Sequence, residues 1–202
     1  MRKLVWPLIA AVVLLAAFFV FRQWSGSRDR ARAIDAQFAT AREMAADGER
    51  LSQAKVELDG VLTQAPDHLD ALMLRGEVLL QLAMHEPAHI DLVAAAKFAK
   101  GEAAGRVQWL IGRVLADRYR GTQSDSDFRE ARNAFLAAQR TPEYAARGLE
   151  GFAHLFLEKG RNRDVDKALE VLRDLVARHP TSEEAGYAKE LLEQLGRSAQ
   201  GN

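Results

Sequence analysis

The chain has 202 residues, 48% of them hydrophobic, with 28 basic and 28 acidic side chains and no cysteine. That length supports one domain with a core of its own, and balanced charge argues against a nucleic-acid partner. The missing cysteines exclude disulfides, thiolate metal sites, a cysteine nucleophile and an acylated lipoprotein anchor.

A short basic tail, Met1-Arg2-Lys3, precedes residues 4–21, LVWPLIAAVVLLAAFFVF, which carry no charge. At 1.5 Å per residue this run reaches roughly 27 Å, close to the hydrocarbon thickness of a bilayer, so 4–21 is expected to be one transmembrane helix. Pro7 falls in the first turn, where its missing N–H matters little. Arg22 and Trp24 open a linker over 22–32, at the depth of interfacial anchors. A cleaved signal peptide would have a shorter apolar core, and Ser25-Gly26-Ser27 is a poor cleavage site, so the anchor is expected to stay uncleaved. Arg22, Arg28, Arg30 and Arg32, counted strictly, would keep the following domain in the cytoplasm. The layout of basic tail, apolar run and soluble domain is that of a signal anchor, and favours a periplasmic or other extracytoplasmic domain on the inner membrane.

From residue 28 onward strand signals are nearly absent, and Ala, Leu, Glu, Arg and Lys dominate. Helices are expected at about 29–47, 50–64, 68–84, 89–100, 103–119, 126–140, 143–159, 164–178 and 182–196. A grammar recurs in them. Ala54, Ala131 and Ala168 are each followed four residues later by Leu58, Phe135 and Leu172, and eleven or twelve later by Pro66, Pro142 and Pro180. The alternate helices set one small residue among large ones, as in Leu72-Gly76-Leu79, Ile111-Gly112-Leu115 and Phe152-Ala153-Phe156. Small residues let two helices approach, large ones fill the flanks, and proline stops the second helix of each pair.

In these features the chain resembles tetratricopeptide repeat proteins. The resemblance covers residues 33–196 and implies an all-α fold: about four helical hairpins in a right-handed solenoid, preceded by the transmembrane helix and closed by a capping helix. A flexible tail over 197–202 is expected to follow. Family repeats are typically about 34 residues long. Here the alanines at 54, 131 and 168, with Ala94 as the weaker candidate between them, imply insertions, placed in the turns GTQSDSD and GRNRDVD. The first two units fit least well, with Arg42 where a small residue belongs. The last helix, SEEAGYAKELLEQLG, reads as the cap, with Thr181 or Ser182 accepting at its N-terminus.

One stretch spells a different chemistry. His85-Glu86-Pro87-Ala88-His89 is H-E-x-x-H, the zinc signature of metallopeptidases. Pro87 is expected to break the helix between the histidines, leaving them as turn residues, so zinc hydrolysis is only a remote alternative. No phosphate loop, nucleophile elbow or metal loop is present. We therefore expect no catalytic residue, cofactor or metal.

What the resemblance implies is a protein-binding groove lined by the first helix of each pair. Repeat register places Met73, Glu77 and Gln81, then Arg106, Trp109 and Arg113, then Arg147, Glu150 and His154 on it. Trp109 between two arginines has the composition of a hot spot, and also fits a packing role between helices. The asparagines of the family's carboxylate clamp are missing, so chaperone C-terminal tails are not expected ligands. The expected function is a membrane-anchored scaffold or adaptor in a bacterial-type envelope assembly, secretion or cofactor-maturation system, its partner a peptide or helix in the groove. The alternative is a structural subunit of a larger membrane complex, buried through exposed apolar residues such as Leu80 and Met84.

Overall fold

Helix-forming segments punctuated by proline and capping residues fold into α1 (28–46), α2 (Leu51–Gln64), α3 (Leu69–Gln81), α4 (His85–Ala96), α5 (Glu102–Thr122), α6 (Asp125–Ala138), α7 (Pro142–Leu157), α8 (Val165–Arg178) and α9 (Glu183–Gln200). The computed structural model describes the backbone of residues 28–200 and side chains through residue 197, and no strand occurs among them. Side chains accept the free N–H groups at several starts: His68 for α3, Ser124 for α6, Asp164 for α8 and Ser182 for α9. Pro142 is the first residue of α7, where no N–H is needed.

The expected fold class requires one correction. Residues 4–21, read as a membrane span, lie outside the described residues, and among those described no helix is long and apolar enough to cross a membrane. The longest described helix, α5, shows why: Arg106, Arg113, Asp117, Arg118 and Arg120 interrupt its apolar residues. The fold is an all-helical, solenoid-like stack without a membrane-spanning helix among the described residues.

From α2 on, each helix packs against its successor. Helices α3, α5 and α7 also touch the next odd-numbered helix, whereas the even-numbered ones meet no other even helix among the described residues. Two rows result, and the odd row is continuous. α1 joins through buried Ala41, through Gln37 donating to Glu57 at 3.0 Å, and through Phe38 stacked 5.0 Å from the His68 ring. One apolar core runs from α1 through α6 to Leu155 of α7, a second joins α7, α8 and α9, and Phe152 packs against both.

Small residues set the spacing between paired helices. Ala54, Ala131 and Ala168 are fully buried, as the repeated grammar requires. In the second unit the corresponding residue is Ala88, buried and followed four residues later by buried Leu92; Ala94, which sequence spacing favoured, is only half-buried. A Cβ added at Gly76 on α3 would stand 2.7 Å from Leu92. Gly112 on α5 repeats the arrangement, 2.6 Å from the Phe135 ring. Such notches leave no room for a larger side chain.

Ala88 lies inside HEPAH, and this changes the reading of that motif. The chain leaves α3 through Ala83 in the left-handed region (φ 56°), with Met84 N–H donating to Leu79 C=O at 2.8 Å and Ala83 N–H to Leu80 C=O at 3.0 Å. This paired closure ends α3 earlier than residue 84 and starts α4 at His85, not at 89. Pro87 is the third residue of α4, where its missing N–H would have had no helical acceptor. The histidines therefore share one helix instead of flanking a break.

Arginines of the odd row tie together neighbouring helices of the even row. Arg75 on α3 holds Asp91 of α4 through Nε and Nη2, both at 2.7 Å, and Asp59 of α2 through Nη1 at 2.7 Å. Arg118 on α5 bridges Glu86 of α4 at 3.0 Å and buried Asp127 of α6 at 3.2 Å. Of the two expected insertions, GRNRDVD does lie in a long turn, before α8, but the other differs. GTQSDSD does not lengthen a turn: α5 runs on to Thr122 and turns at Gln123 (φ 55°). The loop over 158–164 then folds onto that turn, with Arg161 and Asn162 both donating to Asp125.

Candidate functional site

Along α5 the residues Arg106, Trp109, Arg113, Asp117 and Arg120 recur at steps of three and four, which puts them on one face. The opposite face is buried through Gly105, Gly112 and Leu115. On α7 the same spacing aligns Tyr144, Arg147, Gly151 and His154, with Glu158 at the C-cap. Because α5 and α7 are neighbours in the odd row, the two faces enclose a groove.

Two clefts make up that groove. One, of about 300 Å³, lies between α5 and α7 over the Phe135 ring, and Trp109, Arg113, Glu150 and His154 line it. The other, of about 370 Å³, is bounded by α3, α5 and α7, and takes Glu77, Gln81, Arg106 and Arg147 besides Trp109 and Arg113. Trp109 and Arg113 are common to both. Of the expected residues only Met73 lines neither cleft. It is 4% exposed and belongs to the core. Each step of four residues overshoots a full turn, so Met73 sits about 80° round the helix from Gln81. Leu80, expected to be exposed, is buried as well, while Met84 is exposed.

Trp109 lines both clefts and also packs between helices. It is half-buried and packed against the core, and its free face is covered by guanidinium groups. Arg113 Cζ lies 4.8 Å from the indole centroid and Arg147 Cζ 5.6 Å, with the Tyr144 ring 6.1 Å away. These distances are those of cation–π contacts. Most charges on the face are matched across helices. Arg106 donates twice to Glu77 Oε1, at 3.0 and 2.7 Å; Arg147 donates to Glu184 of α9 at 3.1 Å; Arg120 donates twice to Glu158.

Burial, then the nearby Glu184, pushes the Glu150 carboxyl above its ordinary range, against the pull of Arg147 and Arg113. Burial pushes His154 down, and its ring stacks 5.8 Å from Tyr187 of α9. Since the fold favours the neutral acid, ionised Glu150 weakens it above the raised range, and the penalty disappears as pH falls through that range. Glu150→Gln is expected to melt at a higher temperature than wild type at pH 7, the gain vanishing near about pH 3, where the carboxyl is protonated in both states. Thermal denaturation across that range measures it.

His85 and His89, one turn apart on α4, are both half-buried, and Glu86 is held by Arg118. Among the described residues no three His, Cys, Asp or Glu side chains gather to hold a metal. Sequence reasoning missed Tyr144, Asp117, Arg120 and Glu158, though each continues a stripe it had begun. Glu184 had no such signal, because only the fold of α9 onto α7 brings it to Arg147. No protein-family model matches the sequence, and no curated protein resembles it closely enough to count as a relative.

Proposed function

We infer that this chain is an interaction scaffold whose odd-row groove receives a segment of a partner protein, in a repeat architecture of the tetratricopeptide kind. The observation that carries the reading is Trp109: a half-exposed indole shared by two adjoining clefts, with two guanidinium groups against it. Aromatic and arginine side chains set in a pocket are what protein-recognition hot spots are made of. The repeat reading draws support from Ala88, which follows Ala54 by 34 residues, the usual repeat length.

Affinity capture from extracts, comparing wild type with Trp109→Ala and Arg113→Ala, tests it. Partner recovery is expected to fall about tenfold or more in each, equivalent to at least ~1.4 kcal/mol. Arg113 is exposed, so its variant should keep the wild-type melting curve, whereas Trp109→Ala also removes core packing. Unchanged recovery in both variants removes the groove from the function.

A second reading, a permanent subunit of a larger assembly, is favoured by one feature. Ile90 and Val93 of α4 and nearby Phe98 are 61%, 42% and 48% exposed, more apolar surface than one short segment of a monomer usually shows. Native electrophoresis separates the two: a scaffold runs largely free and a subunit does not.

A further inference from the structure

Along the groove, opposite charges are neutralised in pairs between helices: Arg106 with Glu77, Arg147 with Glu184, Arg120 with Glu158. Two charged groups break that rule. Arg113 of α5 and Glu150 of α7 line the same cleft, and neither has a hydrogen bond or ion pair among the described residues. They are near enough to influence each other yet form no ion pair together. Beyond Arg113, the second cleft holds Arg106 and Arg147, matched by Glu77 and by Glu184 of α9; beyond Glu150, the first holds Asp117 and Glu158 with Arg120 between them. Arg113 and Glu150 thus leave one unmatched charge of each sign facing the same cleft, which Trp109 also lines. His154 does not offset Glu150, because burial favours its neutral form.

We propose that Arg113 and Glu150 are paired sockets for an amphoteric segment of the partner protein, one that brings an acidic side chain to Arg113, a basic side chain to Glu150 and an apolar residue to Trp109. This deepens the groove reading and rests on it. A cleft of about 300 Å³ takes a few side chains rather than a folded domain, which fits a short segment. Leaving a half-buried carboxylate unpaired weakens the free protein, and a partner ammonium or guanidinium group reverses that loss on binding. Segments of a single sign place like charge on one of the two sockets and are discriminated against.

The test uses the full chain and three fluorescein-labelled peptides sharing one core of apolar residues: glutamates on one side and lysines on the other, glutamates on both, or lysines on both. Anisotropy titration is expected to show the mixed peptide binding about tenfold tighter than either single-sign peptide. Glu150→Gln should abolish its advantage over the glutamate peptide, and Arg113→Gln its advantage over the lysine peptide. If the glutamate peptide binds wild type as tightly as the mixed one, the paired-socket proposal fails while the groove reading stands. If none of the three binds, both fail.

Discussion

Replacing Phe135 by alanine is expected to lower the stability of the chain by about 4–5 kcal/mol, the upper part of the range for removing a buried phenylalanine. The reason lies in what surrounds the ring. Phe135 projects from α6, is 2% exposed, and meets backbone on two helices of the odd row. A Cβ at Gly112 of α5 would stand 2.6 Å from its Cδ1, and Gly151 of α7 faces the same ring still more closely. Large-to-small substitutions are mildest where neighbouring side chains move into the void, and glycines have none to move. The ring also floors the first cleft, so its loss should loosen the groove as well as the core. Urea denaturation followed by circular dichroism at about 222 nm gives the number; a loss under ~2 kcal/mol would show that α5 and α7 close over the gap. The reciprocal change, Gly112→Ala, should cost about 1–3 kcal/mol by overpacking against the same ring.

Arg75→Ala should cost about 2–4 kcal/mol, through a different mechanism. Asp91 is 5% exposed and receives two of the Arg75 hydrogen bonds, while the third goes to Asp59. The bonds to Asp91 raise the Arg75 pKa above its usual value, against the opposing effect of burial. Without the guanidinium, a buried carboxylate on α4 has lost its partner, and α2 is no longer tied to α4. The expected loss stays below that of a fully buried pair because Arg75 and Asp59 keep contact with water. An apolar replacement of the pair, Arg75→Met with Asp91→Leu, should recover much of the lost stability, since it removes the stranded charge along with its partner. Equal instability of the single and double variants would place the effect in packing, not charge.

Much of the fold was readable along the chain. Helix-forming composition, an alanine followed four residues later by a large apolar residue, and a proline at the end of the unit are local signals. They mark where α2, α6 and α8 lie because each reflects a requirement of the nearby backbone. The failures share a cause. Pro87 looked like a break because its effect on a helix depends on position within it, and that position followed from Ala83 ending α3 early. Ala94 looked like the packing residue because Ala88 fell in the turn expected before a helix at 89–100. The burial of Ala88 and Leu92 against Gly76 assigns the position differently.

The candidate site divides along the same line. The stripes on α5 and α7 follow from helical periodicity, so Arg106, Trp109, Arg113, Arg147, Glu150 and His154 were visible as sets within each helix. The distance between those stripes was not visible, nor were the cation–π contacts of Arg113 and Arg147 with Trp109, nor Glu184 arriving from α9. By itself the sequence determined which residues of α5 and α7 share a helical face, since periodicity is a property of one helix. Only the tertiary structure decided which charges are paired and which are left facing the cleft, because ion pairing depends on where separate helices come to rest against one another.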